Sequence, residues 1–191
     1  MPKTEVYTIE PAQGMKSRQV ALFLAQLDDQ LKLLTEDTRG ATPEELEWQP
    51  GPGMNTIGML LAHIAKVEAG WIGAAARDID FFKNDAVPVS WADTGMPLAA
   101  DAAPPRALAG KDLAFYDDLL ARARAFTREM LAPLTDADLE KRRSRVRRDG
   151  THVDYNVAWA LYHSLEHFSG HYGQVNLLRH QYRAARSGVR G

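Results

Sequence analysis

Apolar residues in this chain recur three and four positions apart over four long segments. That spacing puts them on one face of an α-helix and leaves the other face polar. The first segment runs from about Lys16 to Thr38, with Val20, Phe23, Leu24, Leu27, Leu31 and Leu34 in its stripe and Gly40 as its stop. The second runs from about Thr56 to Arg77, with Asn55 placed to cap it and Ile57, Leu60, Leu61, Ile64, Val67 and Trp71 along one side. The third, from about Lys111 to Leu131, carries Leu113, Tyr116, Leu119, Leu120, Ala123, Phe126 and Met130, and Pro133 closes it. The fourth runs from about Val157 to Ala185 behind Asn156 or Asp154 as cap. Four helices with one long connection predict an all-α four-helix bundle, an architecture that builds metal sites from side chains on facing helices.

The connections refine this. Residues from Asp78 to about Pro105 hold Pro88, Pro97, Pro104 and Pro105 and few periodic apolar positions, which makes them the long crossover. "RSRVRRDGTHVDY" alternates around Asp149-Gly150 and predicts a short β-hairpin just before the last helix. "TPEELEWQP" and "TDADLEKR" each read as a helical turn or two opened by a threonine cap. The expectation is a single domain over 1–191, because a chain of this length supports one sizeable core.

Composition excludes several function classes. There is no cysteine, so disulfides, thiolate metal sites and a cysteine nucleophile are ruled out. Net charge is -2 and the pI about 6.3, with no global basic field and no groove-reading module to suggest nucleic acid. The N-terminal residues "MPKTEVYTIEPAQG" have no apolar signal core, and no long uninterrupted apolar run is present. A cytoplasmic location without a membrane partner is expected.

The chemistry concentrates in "LYHSLEHFSGHYGQVNLLRH", Leu161 to His180, which holds four of the six histidines. His163, His167 and His171 lie four apart on one helical face, and two imidazoles at that spacing can share a divalent metal. Spacing alone leaves His163/His167 and His167/His171 equally good. A third ligand has to come from another helix; His63, among the core-type residues of "LLAHIAKVEAGW", is in place for it, while a lone histidine on an apolar face is more commonly a hydrogen-bonded core residue. His180, beside Arg179 and Arg183, reads as exposed, and His152 belongs to the hairpin. Gln174 shares the face of His171 and has two readings, orienting a bound water or substrate, or bonding to a neighbouring helix. Gly170 and Gly173 read first as sites of close helix packing and second as room for a substrate, Trp71 and Trp159 as core anchors rather than substrate platforms, and Glu166 as a surface group or an outer partner of the site. The run Lys141 to Arg148, six basic residues in eight, reads first as a solvated face and second as a rim for an anionic ligand.

"TPEELEWQPGPGMNTIGMLLAHIAKVEAGW" followed by "WALYHSLEHFSGHYGQVNLLR" resembles the DinB/YfiT-like superfamily of metal-dependent four-helix proteins, over nearly the whole chain. The resemblance implies a metal held by His63, His167 and His171, the last two immediately before the x-G-Q element, with His163 one turn away and not a ligand. Some relatives have glutamate where His167 stands; here the set is all-histidine.

Three neutral imidazoles leave a divalent ion, zinc or nickel, with its full charge and open positions, the pattern of catalytic rather than structural sites. Such an ion activates either a water or a thiol. The resemblance implies the thiol, since relatives include S-transferases that use bacillithiol or mycothiol. The expected function is therefore a metal-dependent enzyme that activates a low-molecular-weight thiol for transfer to an electrophile, with Gln174 as the candidate catalytic residue. The alternatives are a hydrolase using bound hydroxide and a non-catalytic metal-binding stress-response module. The expected partners are a small-molecule thiol and an electrophilic substrate, and a homodimer is allowed.

Overall fold

Each long helix begins where a short polar side chain can satisfy a free backbone N–H. A computed structural model describes residues 4–81, 86–90, 102–147 and 149–188. In it Ser17 caps α1 (Arg18–Thr38), accepting from Val20 N at 3.1 Å. Thr42 caps the single turn α2 (Pro43–Glu47), accepting from Glu45 N at 3.2 Å. Thr56 caps α3 (Ile57–Arg77), accepting from Met59 N at 3.2 Å. Asp112 caps α4 (Leu113–Leu131) and Asn156 caps α5 (Val157–Ser187) through the N–H groups of Phe115 and Trp159. The expected cap Asn55 is one residue too early. Thr56 has the extended backbone from which a side-chain oxygen reaches the first turn, and Asn55 lines a cavity instead.

α3 packs against α4 on one side and α5 on the other, and α1 closes the ring against α5 and, less extensively, α4. α3 is the core helix. By length and composition it could cross a membrane, but the bundle buries 94% of its apolar window. Gly58 and Gly70 let neighbours approach it closely: a Cβ on Gly58 would overlap the Tyr116 hydroxyl, and one on Gly70 would lie 2.7 Å from the Phe81 ring. Two buried ion pairs fix the arrangement. Arg124 of α4 holds Glu68 of α3 at 2.8 and 3.1 Å and Asp28 of α1 at 2.7 Å, while Arg179 of α5 holds Glu45 of α2 at 2.7 Å. Arginine suits both places because its planar fork meets a carboxylate with two parallel bonds.

The predicted crossover lies partly outside the described residues. Its described parts put Val87 and Val89 into the core and lead through Pro105 into a 3-10 turn at Arg106–Leu108. A second 3-10 turn, Asp136–Glu140, carries a capping box between Thr135 and Asp138. The hairpin forms as expected: β1 (Arg142–Val146) pairs antiparallel with β2 (His152–Asn156), and Gly150 takes the positive φ of 83° that the turn requires. β2 ends on Asn156, the same residue that caps α5, so strand and helix share it.

Strand alternation divides the basic run. Lys141 pairs with Asp138 and Arg142 and Arg147 stay exposed, whereas Arg143 and Arg145 turn toward α3. Arg143 Nε donates to the Ala75 carbonyl at 3.1 Å, and the Arg145 guanidinium lies 4.3 Å from the Trp71 ring centroid. The run is therefore neither uniformly solvated nor a continuous rim. Its last residue, Arg148, falls outside the described residues.

Candidate metal centre

Antiparallel packing of α3 on α5 brings one histidine of the first against two of the second. His63 Nε2 lies 3.0 Å from His167 Nε2, which lies 3.1 Å from His171 Nε2. One ring nitrogen from each of the three meets the others within 4.8 Å. Three nitrogens bound to one zinc at about 2.0–2.1 Å with tetrahedral angles would stand about 3.3 Å apart, close to the His63–His167 and His167–His171 separations.

His163 occupies the same helical face but not the cluster. Its ring stacks on Trp159, with centroids 4.8 Å apart and planes 9° from parallel, and its Nδ1 meets Glu166 Oε2 at 3.2 Å. Of the two pairs that spacing allowed, the fold thus gathers His167 with His171. His180 is exposed, as expected, and so is His152.

The rings in the cluster are held differently. Burial, and secondarily the neighbouring His171, pushes the His63 imidazole down to about 4. Burial, followed by His171, His63 and His163, pushes His167 down to about 3. Both are therefore neutral at pH 7, and no proton competes with a cation for their lone pairs. His171 Nδ1 donates to Gln174 Oε1 at 2.8 Å, which keeps the proton on Nδ1 and leaves the Nε2 lone pair directed at the cluster. His63 Nδ1 is buried with no hydrogen-bond partner. That nitrogen lies on the far side of the ring from Nε2, which faces the cluster. These residues fit a divalent cation: three converging imidazole nitrogens, two of them on rings that burial keeps uncharged.

Other expectations change. Gly170 and Gly173 are exposed, and a Cβ at either would meet nothing within 4 Å, so they do not serve close packing. They leave the surface of α5 beside the histidines bare. Trp71 is a core anchor at 4% exposure, but Trp159 is 40% exposed and acts as the stacking partner of His163. Gln174 bonds within its own helix to His171, rather than to a neighbouring one.

Two cavities flank this region, and sequence reasoning missed both. One, of about 250 Å³, adjoins Gln174 and is walled by Asn55, Leu60, Leu177 and Gln181. The other, of about 330 Å³, lies between the end of α3 and the hairpin, is lined by Asp78, Asp80, Arg145 and Tyr155, and includes none of the three histidines.

Among solved structures, the chain is similar in fold to a conserved protein from Enterococcus faecalis, with a TM-score of 0.60 at 17% identity, covering 83% of this chain and 93% of that one. No curated protein matches it in sequence. The family model described as mycothiol-S-transferase matches residues 22–184, which take in all of α3, α4 and the histidine cluster and most of α1 and α5, and the chain belongs to that family.

Proposed function

We propose that this protein is a metal-dependent S-transferase: His63, His167 and His171 hold one divalent cation, zinc or nickel, and a thiol of the mycothiol type is transferred to an electrophile. The observation that carries the reading is the meeting of three imidazole nitrogens, two of them on rings that burial keeps unprotonated, at the face of α5 that Gly170 and Gly173 leave bare. A divalent cation held there supplies a Lewis acid that favours thiolate over thiol at neutral pH.

The chain's own residues have separable tasks. His63, fixed on the buried helix, sets the position of the centre. His167 stands at one corner of a near-equal triangle of rings, 4.9 Å from His63 and 4.4 Å from His171, with 5.0 Å between those two. Gln174 acts through His171 by holding its Nδ1 proton, a positioning role in place of the catalytic one expected. Trp159 and His163 form a stacked wall on the hairpin side. The bare surface at Gly170 gives a second substrate room to approach.

The test is turnover of a model electrophile with mycothiol, using metal-loaded, chelated and His167→Ala protein. Transfer that requires both mycothiol and metal, and disappears in the variant, is the expected result. Ester or amide hydrolysis without thiol that is lost in His167→Ala would replace this reading with a hydrolase. Equal transfer by wild type and variant would end it.

A further inference from the structure

Among the described residues, four arginines are withdrawn from solvent, and three of them have a carboxylate within 4.0 Å: Arg124 and Arg179 in their buried pairs, and Arg143 beside Asp78. Arg145 has none. Its guanidinium lies over two rings instead, 4.3 Å from the centroid of Trp71 and 5.3 Å from that of Phe81, and its Nε is buried without an acceptor. Arginine keeps its proton at neutral pH, so this is a partly desolvated cation. The ring faces attract it, but they do not replace a counter-ion.

Arg145 lines the cavity of about 330 Å³ between the end of α3 and the hairpin. That volume falls within the ~300–1,000 Å³ of a complete small-molecule site. Strand register puts Tyr155 on the same face of the hairpin, since Tyr155 pairs with Arg143, two residues from Arg145. The Tyr155 hydroxyl bonds to no described residue, and burial raises its pKa, so it stays a donor at neutral pH. Arginine and tyrosine together offer an anion two kinds of donor. Asp78 and Asp80, both exposed, stand in the same walls, and the Asp78 side chain is 79% exposed despite its neighbour Arg143. A simple anion would meet their repulsion and a simple cation that of Arg145. A molecule that carries both charges finds a partner for each. Ala74, Ile79 and Val146 supply the apolar part of the lining.

We infer that this cavity binds a small zwitterion, an α-amino acid with an apolar side chain: Arg145 and Tyr155 take its carboxylate, Asp78 its ammonium group, and Ile79 and Phe81 its side chain. The site is separate from the histidine cluster. None of the three histidines lines it, and Trp71 packs against both Arg145 and His163, with ring centroids 5.1 Å apart in the second contact. Binding there needs neither the metal nor the transferase reading.

The probe is L-leucine, with isocaproate and isoamylamine as the same apolar body carrying only the carboxylate or only the amine. Saturation-transfer NMR titration of the full chain should show saturable binding of leucine and at least about tenfold weaker binding of each analogue. Arg145→Gln should abolish leucine binding. Tyr155→Phe, which removes only the hydroxyl, should weaken leucine and isocaproate alike by about threefold or more. Asp78→Asn should weaken leucine but tighten isocaproate, a reversal that loss of structure would not produce; asparagine tolerates the left-handed backbone that Asp78 holds at φ 57°. Should far-UV circular dichroism show Arg145→Gln unfolded, the Tyr155 and Asp78 variants decide. Absence of saturable leucine binding, an analogue binding as tightly as leucine, or unchanged affinity in folded Arg145→Gln would each overturn the assignment. So would leucine binding that disappears on chelation or in His167→Ala, because it would belong to the histidine cluster.

Discussion

α3 and α5 together supply the histidine cluster, yet they are built on opposite plans. Eighteen of the 21 residues of α3 are buried, against eight of the 31 in α5. Glycines on α3 are pressed by neighbours, Gly58 by Tyr116 and Gly70 by Phe81, while Gly170 and Gly173 on α5 touch nothing. The histidines follow the same division. His63 has a buried Nδ1 without a partner, whereas His171 has its Nδ1 held by a neighbour about one turn along its own helix. A centre placed between such helices has a fixed side and an accessible side. The first secures position; the second admits ligands.

The sharpest way to break this contrast is to remove a ring from each side. His63→Ala and His171→Ala should each lower metal affinity by more than the ~10–100-fold typical of losing an outer hydrogen-bond partner. Gln174→Leu should fall within that range, and His163→Ala should leave affinity unchanged. Competitive titration against a chromophoric chelator measures all four, and full occupancy in His63→Ala would remove α3 from the site.

The next effect is acid sensitivity of the chelated protein. His63 and His167 titrate near 4 and 3 when folded, below the 6.5 of an unfolded histidine. Above 6.5 both states are neutral and the fold has its full stability. As pH falls from 6.5 toward 4 the unfolded chain binds protons first, so stability is lost across that window. For His63 alone the shift corresponds to on the order of 3 kcal/mol. Urea denaturation of chelated protein at pH 7 and pH 4.5 should show the drop; a flat profile would mean that the fixed side is wetter than its burial indicates.

Smaller effects come from the glycines. Gly58→Ala forces a methyl group against a buried ring that cannot swing away, and should cost about 1–3 kcal/mol. Gly170→Ala and Gly173→Ala add helix propensity without a clash and should each stabilise by up to about 1 kcal/mol. Thermal denaturation of the metal-loaded proteins reads both signs. Destabilisation by Gly170→Ala would show that α5 is packed where it looks bare.

What could be read in advance follows from the range of each signal. Helical periodicity is local and repeated, so the four helices and the crossover position were legible, as were the threonines that open the two short turns and the Asp149-Gly150 turn. The spacing of His167 and His171 was legible for the same reason. Choosing between His163 and His171 needed Trp159, whose ring holds His163 aside through a contact within one turn that spacing does not encode. Gly170 and Gly173 were misjudged because whether a glycine is pressed depends on what lies opposite, which for α5 is nothing. Arg143 and Arg145 were hidden within a charge run because their inward turn depends on strand register against α3. The cavity beside Gln174 joins residues more than 100 positions apart, which no local pattern encodes.

Asn156 closes β2 and opens α5 without a spacer. An insertion or deletion of one residue there would turn the whole of α5 by about 100° against its cap, carrying His167 and His171 off the α3 face together. One residue added at the exposed Asp149-Gly150 tip would lengthen a turn and leave the helix where it is. Length variation in descendants of this gene should therefore accumulate at the hairpin tip, while the junction six residues later keeps a fixed count.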